Sequence, residues 1–311
     1  MPENAAARAI VPPSPSLIDS RPVAHYPPLM QEGQFSRTAL GAAGHRAAHQ
    51  ALEGGRVFAD PLALRILGDD AKTAIAEAEE KPARRGPRLF IAVRSRFAED
   101  AAARAIGRGT RQIVVLGAGL DTFAYRLEAR EGLRVYEVDH PATQAEKRRR
   151  LAAADIAPSP HVVFSACDFE RRSFVDALTA VDLDAAAPAF FLWLGVTPYL
   201  SEAAIFATFA AIAALPGGGE VAFDYANPAE TIDSPATRAA HEELTRKVAA
   251  AGEPLRTAFD TLMPHARLHQ LGFASIEDLG PGEIGRRFFP GHPARGGAGG
   301  HVALAGTRRV A

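Results

Sequence analysis

The stretch QIVVLGAGLDT, residues 112–122, decides the fold. Its β-branched apolar run ends at Gly117, and a second glycine, Gly119, precedes a segment with helical periodicity. A short apolar run of this kind is typical of a buried parallel strand. Glycine allows a tight turn and a close approach of the backbone to a ligand. The stretch therefore predicts a strand, a turn through Gly117, Ala118 and Gly119, and a helix.

The same alternation of apolar runs and helical segments continues along the chain. Strands alternating with helices indicate a parallel sheet with helices on both faces. With the run at 112–117, the further predicted strands are 133–139, 161–168, 189–195, 219–225, 275–280 and 301–307. We therefore expect an α/β fold with a doubly wound, mostly parallel seven-stranded sheet.

The patterns divide the chain into an arm and one domain. Residues 1–30 are rich in Pro, Ala and Ser, which predicts a mobile arm. The expected domain covers 31–311. Its predicted parts are a helical extension (36–109), a ligand-binding core (110–227), a lid-like helical insertion (228–270) and the last strands (271–311).

Composition and charge exclude several classes of protein. Of 311 residues, 47% are hydrophobic and 23% charged, as in ordinary globular proteins. The net charge of -1 lacks the basic excess of proteins that neutralise nucleic-acid phosphates. The single cysteine, Cys167, excludes an intramolecular disulfide. No apolar run approaches the ~20 residues of a membrane span, and the N-terminus lacks the apolar region of a signal peptide. We expect a cytoplasmic protein that binds neither nucleic acid nor membranes.

An acidic residue accompanies the glycine turn. Asp139 ends the second predicted strand, where a carboxylate can accept hydrogen bonds from ribose hydroxyls, and Glu137 points to the same face. This predicts an adenosine-containing cofactor; a ligand-free turn capped by Asp121 is the alternative. A dinucleotide fingerprint requires glycine or alanine at its sixth position, where this chain has Thr122. A ligand without phosphates has no such requirement, which favours S-adenosylmethionine over NAD.

A third candidate contact follows the third predicted strand in CDFE, residues 167–170. Asp168 could hydrogen-bond the adenine amine while Phe169 packs along the ring. The alternative is that Asp168 caps a helix beginning at Glu170.

With these anchors, the chain resembles the leucine carboxyl methyltransferase-like family of class I S-adenosylmethionine-dependent methyltransferases, in its bacterial O-methyltransferase branch. The resemblance runs from about Ser36 to Asn227. The matching segments are SRTA (36–39), FADPLA (58–63), VRSRFAED (93–100), VVLGAGLDTFAYRL (114–127), YEVDHPATQAEKRRRL (136–151), CDFE (167–170) and LWLGVTPYL (192–200). Ordered motifs of this length are far more specific than the glycine turn alone.

The resemblance implies a cofactor role for each matching position. Arg94 would pair with the methionyl carboxylate, and residues 117–119 would form the cofactor loop. Asp139 would bind the ribose, while Asp168 and Phe169 would contact the adenine.

Leu194 departs from the family pattern. Members that methylate a protein C-terminus carry glutamate at this position, so here the cofactor contact could be made only by backbone or apolar surface. The departure favours a small-molecule acceptor over a protein.

Methyl transfer is an in-line displacement that depends on alignment of its reactants. A carboxylate acceptor is already ionised at neutral pH, whereas a hydroxyl benefits from a general base. We expect Arg37 to hold a carboxylate acceptor and Tyr199 and Tyr225 to line the acceptor pocket. Trp193 could present an aromatic face to the sulfonium. The aromatic residues are equally compatible with packing, and no catalytic base is identified.

No metal site is predicted. The pairs His45/His49 and His265/His269 have the i, i+4 spacing of zinc-binding helices, but neither has the HExxH glutamate or an evident third ligand. The basic run at 147–150 is interpreted as a solvated helix face.

The leading hypothesis is an S-adenosylmethionine-dependent O-methyltransferase that acts on a carboxylate or hydroxyl of a small molecule. The alternatives are a protein C-terminal carboxyl methyltransferase, an NAD-dependent oxidoreductase and a non-catalytic cofactor-binding protein. The identity of the acceptor and the oligomeric state stay open at this point.

Overall fold

A computed structural model describes residues 35–157, 159–169, 173–232, 235–250, 252–291 and 299–307. The predicted arm, 1–30, lies outside these residues. The helices are α1 (Arg37–Leu52), α2 (Ala63–Leu67), α3 (Asp70–Glu80), α4 (Arg85–Gly107), α5 (Phe123–Arg126), α6 (Pro141–Ala153), α7 (Phe174–Thr179), α8 (Glu202–Ala213), α9 (Pro235–Ala250), α10 (Leu262–Gln270) and α11 (Pro281–Phe288). The strands are β1 (Gln112–Leu116), β2 (Arg134–Asp139), β3 (Val162–Ala166), β4 (Ala189–Trp193), β5 (Gly219–Ala226), β6 (Phe273–Leu279) and β7 (Gly300–Thr307).

All seven strands form one sheet in the order β3-β2-β1-β4-β5-β7-β6. The strands from β1 to β5 pair in parallel, whereas β7 runs antiparallel between β5 and β6. The strand order reverses between β1 and β4, and in open α/β sheets ligands bind at the carboxyl edge beside such a reversal. The predicted fold class is confirmed.

Apart from Gln112 at the start of β1, the central strands β1 and β4 are apolar, because helices cover both faces of the sheet. Every residue of β1 and β4 is buried. Val114 and Tyr136 belong to the apolar cluster on one face, and Ile113 and Val115 belong to the cluster on the other. This continuous burial explains why short apolar runs were sufficient to predict the strands.

Several local predictions need correction. The helix after the glycine turn, α5, has only four residues. A proline commonly ends a helix, but Pro87 lies in the first turn of α4, where its missing N–H has no intrahelical partner in any case. Helix α7 begins at Phe174 and is capped by Ser173, whereas Glu170, where the alternative placed the start of a helix, lies outside the described residues. Helix α11 was not predicted.

The solvated face predicted for the basic run at 147–150 is also wrong at its first residue. Lys147 is 1% exposed, and its Nζ lies 2.7 Å from Oε1 of Glu137 on β2. The hydroxyl of Tyr125 donates to the same carboxylate at 3.2 Å. Burial raises the pKa of Glu137, while the adjacent Lys147 charge acts in the opposite direction. The lysine therefore pairs with an internal carboxylate beside the glycine turn.

The helical extension is joined to the glycine turn by a buried carboxylate. Asp60 is 1% exposed and accepts hydrogen bonds from Arg46 Nε at 3.1 Å and from the Thr122 hydroxyl at 2.7 Å. Arg46 also donates to the carbonyl oxygen of Leu120 at 2.7 Å. Asp60 and Arg46 belong to the extension, whereas Leu120 and Thr122 directly follow the glycine turn. Thr122 therefore occupies the sixth fingerprint position with its hydroxyl bound to the extension.

A second ion pair supports the same junction. Arg126 of α5 pairs with Glu99 of α4, with 2.9 Å between Arg126 Nη1 and Glu99 Oε2. Burial raises the pKa of Glu99 to about 7, although the Arg126 charge favours the ionised carboxylate.

The described part of the chain contains no helix that is both long and apolar enough to cross a membrane.

Replacement of Asp60 by alanine should destabilise the protein strongly. It would leave Arg46 and Thr122 buried without their acceptor, and breaking a buried pair by removing one partner costs about 3–5 kcal/mol. Urea unfolding followed by circular dichroism measures the change in free energy of unfolding. The matched control is Asp100→Ala, which removes an exposed pair with Arg96 and should cost less than about 1 kcal/mol. Equal losses in both variants would contradict a junction through Asp60.

Candidate active site

The glycine turn has a backbone that only glycine adopts without strain. Gly117 has φ +69° and Gly119 has φ +44°. The N–H of Gly117 donates to the Val138 carbonyl oxygen at 2.8 Å, which joins the end of β1 to β2. A Cβ on Gly117 would collide with a methyl group of Val196, and one on Gly119 would lie 3.1 Å from Cβ of Ala39. The turn is therefore enclosed by the segment after β4 and by α1.

Asp139 lies directly beside this turn. Its carboxylate accepts the N–H of Gly119 at 2.5 Å and the N–H of His140 at 2.6 Å. Burial raises the pKa of Asp139, while these two backbone hydrogen bonds favour the ionised form. The predicted ribose-binding acid and the predicted cofactor loop are thus in contact.

The β2–β3 pairing brings the CDFE segment to the same edge. The Cys167 N–H donates to the carbonyl oxygen of Asp139 at 2.8 Å, so Asp168 and Phe169 follow at the carboxyl end of β3. Both side chains are half-buried, and Phe169 packs against the apolar cluster that contains Val114. This places the two predicted adenine contacts next to the predicted ribose contact.

Arg94 reaches the carboxyl edge from α4. Its Nη1 lies 2.9 Å from Oδ2 of Asp224 on β5, and Oδ1 of Asp224 accepts the Gly195 N–H at 2.5 Å. A Cβ on Gly195 would lie only 2.5 Å from Arg94 Nη2, so the guanidinium rests against the bare backbone that follows β4. Leu194, just before this glycine, is half-buried and packs against the cluster that contains Ile113.

Tyr199 and Arg37 lie near the start of α1, but their side chains differ in exposure. Tyr199 is half-buried beside Thr38, and burial raises the pKa of its phenol. The Arg37 side chain is exposed, whereas its backbone N–H donates to Oε1 of Glu253 at 2.7 Å. Of the two, Tyr199 is the one enclosed among the elements at this edge.

Tyr225 lies apart from this group. It is 3% exposed, and its hydroxyl donates to Oδ2 of Asp278 at 2.5 Å and lies 3.0 Å from Nδ1 of His301. Along β5 it points to the face opposite Asp224. Trp193 is likewise enclosed, with its ring 5.2 Å from that of Phe209. The structure does not bring these two aromatic rings to the glycine turn.

Three histidines of the two pairs have partners within the protein. His49 lies 3.2 Å from Glu53, and His265 lies 2.7 Å from Asp278. His269 instead contacts the Phe273 carbonyl oxygen at 2.9 Å.

Two residues at this edge were not identified as site residues from the sequence. Asp224 was assigned only to a strand, although an acid at the end of a buried strand is a signal that could have identified it. Glu253 follows Gly252, which has φ +85° at the end of α9, and nothing local distinguishes it from a solvated acid.

Taken together, the strand order, the antiparallel β7 and a glycine turn beside an acid on β2 define the class I methyltransferase fold. The sequence profile of the leucine carboxyl methyltransferase family matches residues 39–213, more than half of the chain. The chain therefore belongs to this family, as its motifs predicted.

Bacterial relatives are similar to part of the chain. The Bacillus subtilis (strain 168) protein named "Putative S-adenosyl-L-methionine-dependent methyltransferase YktD" is 34% identical over 189 residues, which are 58% of this chain and 60% of the relative. A Saccharopolyspora erythraea protein with the same general name is 43% identical over 122 residues, 38% of this chain and 42% of the relative. The chain thus spans about 60% or less of the length of these two relatives.

Solved structures share the fold at low sequence identity. A protein from Thermobifida fusca YX named "putative methyltransferase" has a TM-score of 0.54 and 17% identity, covering 92% of this chain and 100% of that chain. A DUF574 family protein from Streptomyces avermitilis has a TM-score of 0.53 and 18% identity, covering 85% and 97%.

The Gly117→Ala variant should be less stable than the wild type by about 1–3 kcal/mol, because the new Cβ combines a left-handed backbone with a collision against Val196. Thermal unfolding measures the loss. The control Gly86→Ala lies in the first turn of α4, where a Cβ meets nothing within 4 Å, and should not destabilise the protein. Identical behaviour of the two variants would contradict the enclosed turn.

Proposed function

We propose that this protein is an S-adenosylmethionine-dependent O-methyltransferase that methylates a carboxylate or hydroxyl of a small molecule. The contact between Asp139 and the Gly119 N–H is the observation that carries the proposal. This contact places a carboxylate that can accept hydrogen bonds from ribose beside a glycine turn whose backbone a ligand can approach. Both lie at the edge of the sheet where ligands bind in such folds.

The residues present fit a phosphate-free adenosyl cofactor better than a dinucleotide. A pyrophosphate subsite uses the N-terminus of a helix that packs closely through a glycine or alanine. Here the helix has four residues, and Thr122 hydrogen-bonds Asp60. These features disfavour the NAD-dependent alternative.

Arg94 would supply a positive charge for the methionyl end of the cofactor, which carries a carboxylate. Asp224 engages its Nη1, and a guanidinium has five N–H donors in a planar fork. The remaining donors suit a carboxylate such as that of the methionyl group. Asp224 would then fix the orientation of Arg94, and Gly195 would leave room for it.

When bound, the cofactor would supply a methyl group bonded to a positively charged sulfur. The acceptor would bond to the methyl carbon while the carbon–sulfur bond breaks, and the cofactor would leave as a neutral thioether. The chain contributes alignment: Asp139 would orient the ribose, residues 168–169 the adenine and Arg94 the carboxylate. Correct alignment accounts for a large part of the rate of such a displacement. No general base is required when the acceptor is a carboxylate.

The acceptor would lie beside Tyr199 and the start of α1. Leu194 occupies the position of the glutamate expected in members that methylate a protein C-terminus, which supports a small acceptor. Arg37, whose exposed side chain borders this region, is the candidate for holding an acceptor carboxylate. The family name favours the second candidate, methylation of a protein C-terminal carboxyl group.

Removing the carboxylate from the ribose site should weaken cofactor binding. In Asp139→Asn, loss of charge-assisted hydrogen bonds should raise the Kd for S-adenosylmethionine by about 10- to 100-fold, measured by titration calorimetry. The control is Asp155→Asn, the same chemical change at an exposed turn residue with φ 51°, a conformation that asparagine accepts. An unaltered Kd in Asp139→Asn would remove Asp139 from the site. No binding of the cofactor or its demethylated product by the wild type would overturn the proposed function.

The chemical class of the acceptor can be tested with a methyl-labelled cofactor. Incubation of the protein with a cell lysate should place label in the organic extract and not on protein. Label released as methanol by mild base would identify a carboxyl ester, whereas base-stable label would identify an ether. Label on protein would contradict the small-molecule acceptor and support the protein carboxyl alternative.

A further inference from the structure

Residues 253–259, between α9 and α10, cross the carboxyl edge of the sheet, and we call them the strap. The Arg256 N–H donates to the Pro198 carbonyl oxygen at 2.7 Å, and the Thr257 hydroxyl donates to the Leu200 carbonyl oxygen at 2.5 Å. At its far end, the Phe259 N–H donates to the carbonyl oxygen of Ala226 at 2.9 Å. The strap is thus bonded both to the segment after β4 and to the end of β5.

The first residue of the strap, Glu253, caps α1. Its Oε1 accepts the Arg37 N–H at 2.7 Å and the Thr38 N–H at 3.4 Å. Its Oε2 accepts the Ser36 hydroxyl at 3.0 Å and also the Thr38 hydroxyl. The Ala39 N–H is satisfied by the Ser36 side chain at 3.0 Å. Glu253 therefore supplies the acceptors for the first N–H groups of a 16-residue helix, where a negative charge is also favoured by the helix dipole.

The capped end of α1 lies on the cofactor loop. Ala39 packs against Gly119, so that a Cβ on that glycine would be 3.1 Å from Cβ of Ala39. The Ser36 N–H donates to the Thr143 hydroxyl of α6 at 3.2 Å, and Thr38 lies beside Tyr199. The first turn of α1 thus covers the backbone of the glycine turn and borders the proposed acceptor region.

Glu253 is 8% exposed, and it connects two covering segments that are more than 200 residues apart in sequence. A buried carboxylate requires hydrogen-bond donors, and the start of α1 provides them. When α1 moves away, the carboxylate and the helix N–H groups lose their partners together. The strap and the first turn of α1 are therefore expected to open and close as one unit.

We propose that Glu253 is a positioning residue that holds the strap and the first turn of α1 closed over the cofactor site. The inference rests on the proposed function, because it identifies the covered ligand as the adenosyl cofactor. Opening at Glu253 then limits the release of the demethylated cofactor, S-adenosylhomocysteine.

The test compares Glu253→Ala and Glu253→Gln with the control Glu242→Ala, which removes an exposed carboxylate from α9. In stopped-flow displacement, Glu253→Ala should release S-adenosylhomocysteine roughly tenfold faster or more. Glu253→Gln, which keeps an amide oxygen as acceptor, should lie between Glu253→Ala and the wild type. Glu242→Ala should match the wild type.

Hydrogen exchange without ligand provides a second readout that is independent of the cofactor. In Glu253→Ala, amides of residues 37–45 and of the strap should exchange faster, while those of β1 keep their protection. Equal loss of protection in β1 would indicate global destabilisation and overturn the positioning role. If Glu253→Ala does not fold, Glu253→Gln decides by the same two measurements.

The outcomes separate the two proposals. Unchanged release from a folded Glu253 variant, with normal binding by the wild type, would contradict the role of Glu253 alone. Absence of S-adenosylhomocysteine binding by the wild type would contradict the proposed function and this inference with it.

Discussion

The hydrogen bond between the Gly119 N–H and the Asp139 carboxylate is the interaction on which the carboxyl edge depends. An internal carboxylate is stable only where donors replace its lost water. The left-handed turn supplies one donor and the start of α6, at His140, supplies the other. The glycine turn, Asp139 and the loop after β3 are therefore held in one geometry before a ligand binds. This preorganisation lowers the conformational entropy that is lost on binding.

Beneath that edge, charged residues act as connections between distant segments. Asp60 joins the extension to the turn, Lys147 pairs with Glu137, and Asp224 orients Arg94. Each carboxylate is nearly enclosed and has a cation or hydroxyl within hydrogen-bond distance. Ion pairs of this kind add little stability compared with apolar packing, but breaking one is costly. These ion pairs therefore explain why segments that are far apart in the sequence meet around the glycine turn.

The two central strands were the most predictable from the sequence, because strands covered on both faces leave short apolar runs, which here end at Gly117 and Gly195. The contact between residues 117–119 and Asp139 was predictable for the same reason, since parallel strands end at one edge. Lys147, Asp60 and Glu253 were not predictable in this way. Their burial is decided by partners that are 10 to more than 200 residues away, and their local sequences are those of ordinary surface residues. Helix α11 was missed because its glycines and proline conceal a helix of only eight residues.

The separation in sequence between Glu253 and the helix that it caps has a consequence for how the protein folds during its synthesis. During synthesis, α1 can pack early against α3 and α4, but the N–H groups of Arg37 and Thr38 lack their carboxylate acceptor until residue 253 has been made. Contacts between such remote positions form late, because they require closure of long loops. Strands β1 to β5 of a nascent chain could thus pair while the ligand cleft is still uncovered, because residue 253 follows all five of them in the sequence.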